Sequence, residues 1–295
     1  KKGYATMISY AQNFEDVMLW RALKNIKNGF YIDVGANDPI ELSVTKWFYD
    51  QGWTGINIEP SKEYYDKLCA DRPKDINVCK GAGEVESQVH FYEFPDTGLS
   101  TVDKEIAQNN IKLGFKVHEI DIEITTLKKL CETYALNKAI HFLKIDVEGG
   151  EGSVLRGMDF KKFRPWIVVI EATLPLSQTL SIEWDEYVKE QGYVFAFFDG
   201  LSRYYVVAER QQDLMPYFKV PANVFDEYVR YIEIKLQKEK DILQKENSIL
   251  QDKTVILRNE IIVLRNENTE IKNSLSWRLT KPLREIKNFF VHLQF

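Results

Sequence analysis

Phe30-Tyr-Ile-Asp-Val-Gly-Ala-Asn-Asp-Pro39 decides the fold, together with Gly55-Ile-Asn-Ile-Glu-Pro60 about one βα unit downstream. Phe30 to Val34 is apolar except for Asp33, the pattern of a short parallel strand buried on both faces. Asp33 and Gly35 stand at its carboxyl end, where open α/β sheets hold ligands, and a glycine there lets the backbone approach a ligand closely. Gly55 to Ile58 forms a second run that ends in Glu59, a carboxylate placed to accept hydrogen bonds from both hydroxyls of a ribose. A plain strand and turn with a capping aspartate would explain the first stretch alone. The two strand ends together point to an adenosine-binding α/β domain.

The glycines select among adenosine cofactors. A pyrophosphate calls for a G-x-G-x-x-G turn, in which backbone N–H groups and a helix N-terminus face two phosphates. Here Asn37 and Ile40 occupy the places of the second and third glycines, which disfavours an NAD-dependent enzyme. The acidic D-x-G-x-N loop suits a ligand with a sulfonium and an amino-acid end, S-adenosylmethionine.

A chain of 295 residues holds one α/β domain of about 200 residues plus an extension. The net charge of -5 gives no overall basic signature, so no nucleic-acid partner is expected. Cys69, Cys79 and Cys131 are odd in number and show no C-x-x-C spacing, which disfavours a disulfide framework or a structural zinc and fits a reducing cytoplasm. The first residues lack the apolar core of a signal peptide, and no stretch reaches the roughly 18 apolar residues of a membrane span, so any membrane contact is expected to be peripheral.

Beyond Glu59, helical patterns and short apolar runs alternate as in a doubly wound α/β fold: a helix from Ser61 to Ala70, then strands near Ile76 to Cys79 and Val89 to Phe94. His141-Phe-Leu-Lys-Ile-Asp146 is a strong strand followed by a helix from about Glu151, and Trp166-Ile-Val-Val-Ile-Glu171 is another. Tyr193 to Phe198 and Tyr204 to Ala208, joined by Asp199-Gly-Leu-Ser, read as a terminal antiparallel hairpin. The expected fold is therefore Rossmann-like, a mostly parallel seven-stranded sheet closed by that hairpin, over residues 1–220. Residues 221–275 are expected to form a linker and a coiled-coil helix beginning near Phe225. Leu236, Leu243, Leu250, Leu257, Leu264 and Ile271 recur every seven residues, and as d positions they leave Lys240, Asn247, Thr254, Ile261, Asn268 and Leu275 at a. Leucine at d with asparagine at a predicts a homodimer or trimer, the alternative being a single helix folded on the globular domain. Residues 276–295 mix Trp277, Phe289, Phe290 and Phe295 with Arg278, Lys281, Arg284 and Lys287, a basic amphipathic tail suited to anionic lipid, to a partner, or to packing on the coiled coil.

At this point the chain resembles the FkbM-type methyltransferases. The matching segments are Ser9-Tyr-Ala-Gln-Asn-Phe-Glu-Asp-Val-Met-Leu19, Tyr31-Ile-Asp-Val-Gly-Ala-Asn37, Gly52-Trp-Thr-Gly-Ile-Asn-Ile-Glu-Pro60, Thr97-Gly-Leu-Ser-Thr101, Leu143-Lys-Ile-Asp-Val-Glu-Gly149 with Glu151, and Arg164-Pro-Trp-Ile-Val-Val-Ile-Glu-Ala172. Each is short, but the set spans nearly all of residues 1–215. The resemblance implies a class I methyltransferase fold, S-adenosylmethionine-dependent O-methylation of a sugar or natural-product hydroxyl, and cofactor contacts from Asp33, Gly35, Asn37 and Glu59. Asp38-Pro39 departs from the family, many members of which carry a small residue and a glycine there.

A sugar hydroxyl is a poor nucleophile at neutral pH and needs a base or a metal ion beside it. Asp146 and Glu171 end neighbouring expected strands at the ligand edge, and they are the candidates for catalytic base and for ligands of a divalent cation such as Mg²⁺, Ca²⁺ or Mn²⁺. Glu148 and Glu151 join them as candidates, or complement a helix N-terminus. Lys144, two residues before Asp146 on one strand face, is expected to orient it by a charge pair. His118 is a weaker candidate base, and His141 falls at the wrong end of its strand. Gln12 and Asp16 are expected to cap the cofactor or line the acceptor pocket, with Asn13 beside them, and Phe91, Tyr92 and Phe94 either stack on a sugar or belong to the core. A glycan or small-molecule hydroxyl is thus the expected acceptor. A scaffold that uses the fold and the coiled coil to organise glycan-synthesis partners is the second reading, opposed by four acidic groups kept on one rim.

Overall fold

The structure, a computed structural model, describes residues 6–292, with side chains to residue 287. Its strands are β1 Met7–Ser9, β2 Phe30–Val34, β3 Thr54–Ile58, β4 Ile76–Val78, β5 Gly81–Ala82, β6 Ser87–Glu93, β7 His118–Thr125, β8 Phe142–Ile145, β9 Ile167–Glu171, β10 Tyr193–Phe198, β11 Ser202–Val207 and β12 Tyr228–Arg230. Seven of them make one sheet in the order β10-β11-β9-β8-β2-β3-β4. Only β11 runs against its neighbours, so the sheet is parallel up to its terminal hairpin, as the sequence predicts.

Alternation explains why β2 and its neighbours are apolar throughout. Phe30, Ile32 and Val34 enter one core with Ile56, Ile58, Leu143, Ile145, Val168 and Ile170. Tyr31 enters the core on the other face with Phe142, Ile167, Val169, Phe48 and Trp53. Successive strand residues point to opposite faces, and helices cover both, so a polar residue is tolerated only where a strand ends. The sheet order reverses between β2 and β8, and their carboxyl ends flank that crevice, the usual ligand position of such folds.

Val89 to Phe94 does not continue the parallel sheet. It belongs to β6, which pairs antiparallel with β7 in a separate three-stranded sheet, order β5-β7-β6. In β7, Ile120, Ile122 and Ile124 alternate with Glu119, Asp121 and Glu123, the period-two pattern of an antiparallel sheet with one solvated face.

The compact first unit spans Lys1–Tyr231. Residues after 220, expected as linker and helix, are fastened to it. Arg21 pairs with Asp226 at 2.6 Å and donates to the carbonyls of Tyr217, Val220 and Pro221. β12 then runs parallel to β1. The long helix begins at Tyr231 rather than near Phe225 and runs to Asn273. In the second unit it is followed by helices Leu275–Leu279 and Lys281–His292, where the Arg284 guanidinium lies 3.6 Å from the Trp277 ring. The side chains of Phe289 and Phe290, and Phe295 altogether, lie outside the described residues. Among the described residues no helix is long and apolar enough to cross a membrane.

Candidate functional site

The residues at the strand ends converge. Register pairs Asp33 on β2 with Asn57 on β3 and with Lys144 on β8. Counting by twos from Tyr31, Phe142 and Val169 puts Asp33, Lys144 and Glu171 on one sheet face, where the apolar rows give way to polar groups. These residues open into a cleft of about 810 Å³ that Gly35, Asn37, Glu59 and Asp146 also line.

The turn after β2 is built for close approach. Gly35 has φ 72°, and a Cβ on it would lie 1.8 Å from the Asp146 carbonyl oxygen. Asn37 is also left-handed, at φ 51°. The Glu59 carboxylate closes the turn from β3, accepting the Asn37 N–H on Oε2 and the Ser61 N–H on Oε1, both at 2.8 Å. Burial pushes the Glu59 carboxyl up to about 7, against the pull of those two N–H groups and of Lys144. Asp33 Oδ2 accepts from Thr45 Oγ1 at 2.7 Å, while Oδ1 lies 3.5 Å from Lys144 Nζ. Asp33 Oδ1 and Asn37 Oδ1 are buried and take no hydrogen bond from the described residues. Buried acceptors without donors are rare, and here two of them face a cleft beside an obligatory glycine, which fits a ligand carrying donors of its own.

Arg72 supports this turn and was not marked by any pattern in the sequence. It is fully buried just past the helix Lys62–Asp71. Its guanidinium donates to Thr45 Oγ1 and Ser43 Oγ at 2.6 Å and to the Pro39 carbonyl. Thr45 thus links Arg72 to Asp33, and residues 39–45 are held as one frame over the turn.

Asp146, Glu148 and Glu171 offer carboxylate oxygens that all lie within 4.8 Å of one another. Burial, and then the charges of Asp146 and Glu148, push the Glu171 carboxyl far above the usual carboxylate range. Burial and the charges of Asp146 and Glu151 do the same to Glu148. Each also has an Oε2 that takes no hydrogen bond from the described residues. Glu148 holds a left-handed φ of 53°, with its carbonyl accepting from Thr101 Oγ1 at 2.6 Å, the kind of local strain that collects at working sites. Three carboxyls this close cannot all be charged unless something positive compensates, so the cluster holds protons or a cation. Its all-oxygen donor set fits a hard divalent ion. Lys144 stands beside it, 3.3 Å from Asp146 Oδ2 and donating to the Gly35 carbonyl at 3.0 Å. Burial works against its charge, but Asp146 and Asp33 outweigh that and hold the ammonium above the usual lysine range.

Gln12 lines the cleft. Asp16 does not: it is fully buried, and its carboxylate accepts from Ser9 Oγ and from the N–H groups of Tyr10, Ala11 and Val17 at 2.7–3.2 Å. A carboxylate so occupied is a clamp on the chain entering the first helix, not a lid. Glu151 turns back on its own loop, accepting from the N–H groups of Val147 and Gly149. His118 pairs at the surface with Glu93, and His141 accepts the Phe30 N–H at 3.0 Å at the far end of the sheet. Of the three aromatics, Phe91 lines the cleft and Phe94 is core.

Known proteins bear on this geometry as follows. No curated protein matches the chain. Among solved structures, the chain is similar to a methyltransferase FkbM from Methylobacillus flagellatus KT, at 17% identity and TM-score 0.39, over 61% of this chain and 43% of that one. It is also similar to a TehB-like SAM-dependent methyltransferase from Corynebacterium glutamicum, at 9% identity and TM-score 0.37, over 65% of this chain and 87% of that one. The chain therefore spans less than half the length of the Methylobacillus protein. The family model described as the methyltransferase FkbM domain matches residues 33–195, from the Asp33 strand end to the start of β10. That span is more than half of the chain and contains both acidic clusters, so the protein belongs to the FkbM methyltransferase domain family.

Proposed function

We propose that the protein is an S-adenosylmethionine-dependent O-methyltransferase whose acceptor is a sugar hydroxyl, in a surface polysaccharide or another glycan. The observation that carries this reading is the adjacency, in one cleft, of the Asp33, Asn37 and Glu59 cluster and the Asp146, Glu148 and Glu171 cluster. When bound, S-adenosylmethionine supplies an electrophilic methyl group on a sulfonium. Glu59 offers the ribose hydroxyls the lone pairs that Asn37 and Ser61 leave free. Asp33 Oδ1 and Asn37 Oδ1 are the acceptors left for the amino-acid end, and Gly35 keeps that path open.

Positioning an oxygen in line with the methyl carbon contributes much of the rate in such a transfer. Asp146 takes the hydroxyl proton as the acceptor oxygen bonds the methyl carbon. The cofactor, when bound, would leave as the neutral thioether, which accounts for the sulfonium charge. Lys144 holds the Asp146 carboxylate in place. Glu171 is either the protonated neighbour that hydrogen-bonds Asp146 or, with Asp146 and Glu148, a ligand of Mg²⁺, Ca²⁺ or Mn²⁺, an ion that lowers the pKa of a hydroxyl beside it.

The test is transfer of labelled methyl from S-adenosylmethionine to a panel of mono- and oligosaccharides. An acid-stable methyl ether on one acceptor class is the expected product, with Asp146→Asn slowing transfer by about 10²–10⁴-fold. Methylation confined to amines or carboxylates would overturn the hydroxyl assignment.

A further inference from the structure

We propose that the helix Tyr231–Asn273 is one strand of a parallel, in-register, two-stranded coiled coil whose other strand is a second copy of this chain. The helix has no buried residue, and its d-position side chains, Leu236 through Ile271, are 54–62% exposed. Long helices in water draw most of their stability from packing an apolar stripe, so such a stripe calls for a partner.

The polar positions say which partner. In a parallel pair, each g residue faces the e residue five positions later on the other strand. Glu260 then meets Arg265 of the second copy, and Glu267 meets Lys272. Glu239 and Glu246 meet the neutral Gln244 and Gln251, and Lys253 opposite Arg258 is the single like-charge pair. An antiparallel pair brings g against g, setting glutamates 239, 246, 260 and 267 mainly against one another and leaving the basic e residues without acids. Charge therefore selects the parallel arrangement, and the matching acids and bases are supplied by the same sequence.

The a positions fix register and number. In register, Asn247 meets Asn247 and Asn268 meets Asn268, so each side-chain amide has a partner. A slip of one heptad sets Asn268 against Ile261 and leaves an amide unpaired beside an apolar side chain. Leucine at d with asparagine at a is also the pattern that favours two strands.

Sedimentation analysis and disulfide trapping on the full chain test this directly. The protein is expected to sediment at twice its monomer mass, and Leu250→Asp with Leu257→Asp is expected to give a monomer whose first unit melts at an unchanged temperature. Separate Asn247→Cys and Asn268→Cys variants are expected to form covalent dimers on mild oxidation, while the unsubstituted chain, with Cys69, Cys79 and Cys131 alone, does not. A monomer or trimer for the unsubstituted chain would overturn the proposal. So would a dimer in which neither variant cross-links, since an antiparallel pair sets a against d and separates the two copies of each asparagine.

Discussion

Gly35 packs against the carbonyl of Asp146 so closely that a methyl group on its Cα would lie 1.8 Å from that oxygen. The turn that follows β2 and the loop that follows β8 are thereby in direct backbone contact. Lys144 reinforces the joint by donating to the Gly35 carbonyl while pairing with Asp146. The loop that carries Gly35 and Asn37 and the loop that carries the candidate base cannot move independently.

Gly35→Ala is therefore expected to damage both loops. A side chain at φ 72° is strained, and the clash with the Asp146 backbone forces the loops apart. Stability should fall by about 2–4 kcal/mol, with affinity for S-adenosylhomocysteine reduced by more than tenfold. Thermal melting and calorimetry measure the two effects. A variant with unchanged affinity would show that the cofactor does not use this turn.

Cofactor affinity should depend on pH through Glu59. Its carboxyl titrates at about 7 in the folded protein, and only the charged form offers acceptors on both oxygens to ribose. Affinity is expected to rise with pH, level off above about 7, and lose that dependence in Glu59→Gln. Stability of the free protein runs the other way. The folded state binds this proton more tightly than the unfolded chain does, so the contribution of Glu59 is fully present below 4.5 and is lost as pH rises through about 7.

Asp16 separates a structural from a ligand-binding role. With four hydrogen bonds accepted inside the fold, Asp16→Asn should cost about 3 kcal/mol of stability, because the amide leaves at least one buried donor unsatisfied. Affinity for S-adenosylhomocysteine should stay within about twofold at a temperature where the variant is folded. A large affinity loss without a stability loss would return Asp16 to the cofactor lid.

Protons held by Glu148 and Glu171 should leave when a cation binds. Titration with Mn²⁺ or Mg²⁺ in two buffers of different ionisation enthalpy is expected to show proton release, with affinity rising as pH rises. Glu171→Gln should weaken the ion and reduce the released protons together. No binding at millimolar ion would leave the cluster as a protonated pair that serves Asp146 by hydrogen bonding alone, and binding without proton release would show that these carboxyls are already charged in the free protein.

The parallel strands were legible because burial on both faces leaves unbroken apolar runs, and the cleft-lining residues because strand ends are where polar groups can return. Asp33, Gly35, Asn37 and Glu59 fall in one cleft for that reason. Glu148 joined Asp146 and Glu171, and Glu151 did not, because Gly149 and the loop amides turned Glu151 back on itself. Nothing local in the sequence distinguishes the two glutamates. β7 was not assigned from the sequence, although Ile120, Ile122 and Ile124 alternate with acids; its partner strand lies across the helix Lys104–Lys112 and the pairing is non-local. Arg72 was invisible for a similar reason: its partners Pro39, Ser43 and Thr45 are brought to it only by the fold.

Whether the cleft is a methyl-donor site is decided most directly by calorimetric titration of the full chain with S-adenosylhomocysteine, beside Asp33→Ala and Glu59→Ala. Micromolar binding by the unsubstituted protein, weakened at least about tenfold in each variant while both remain folded, is the expected result. No binding by folded protein, or equal affinity in all three, would contradict the assignment of this cleft.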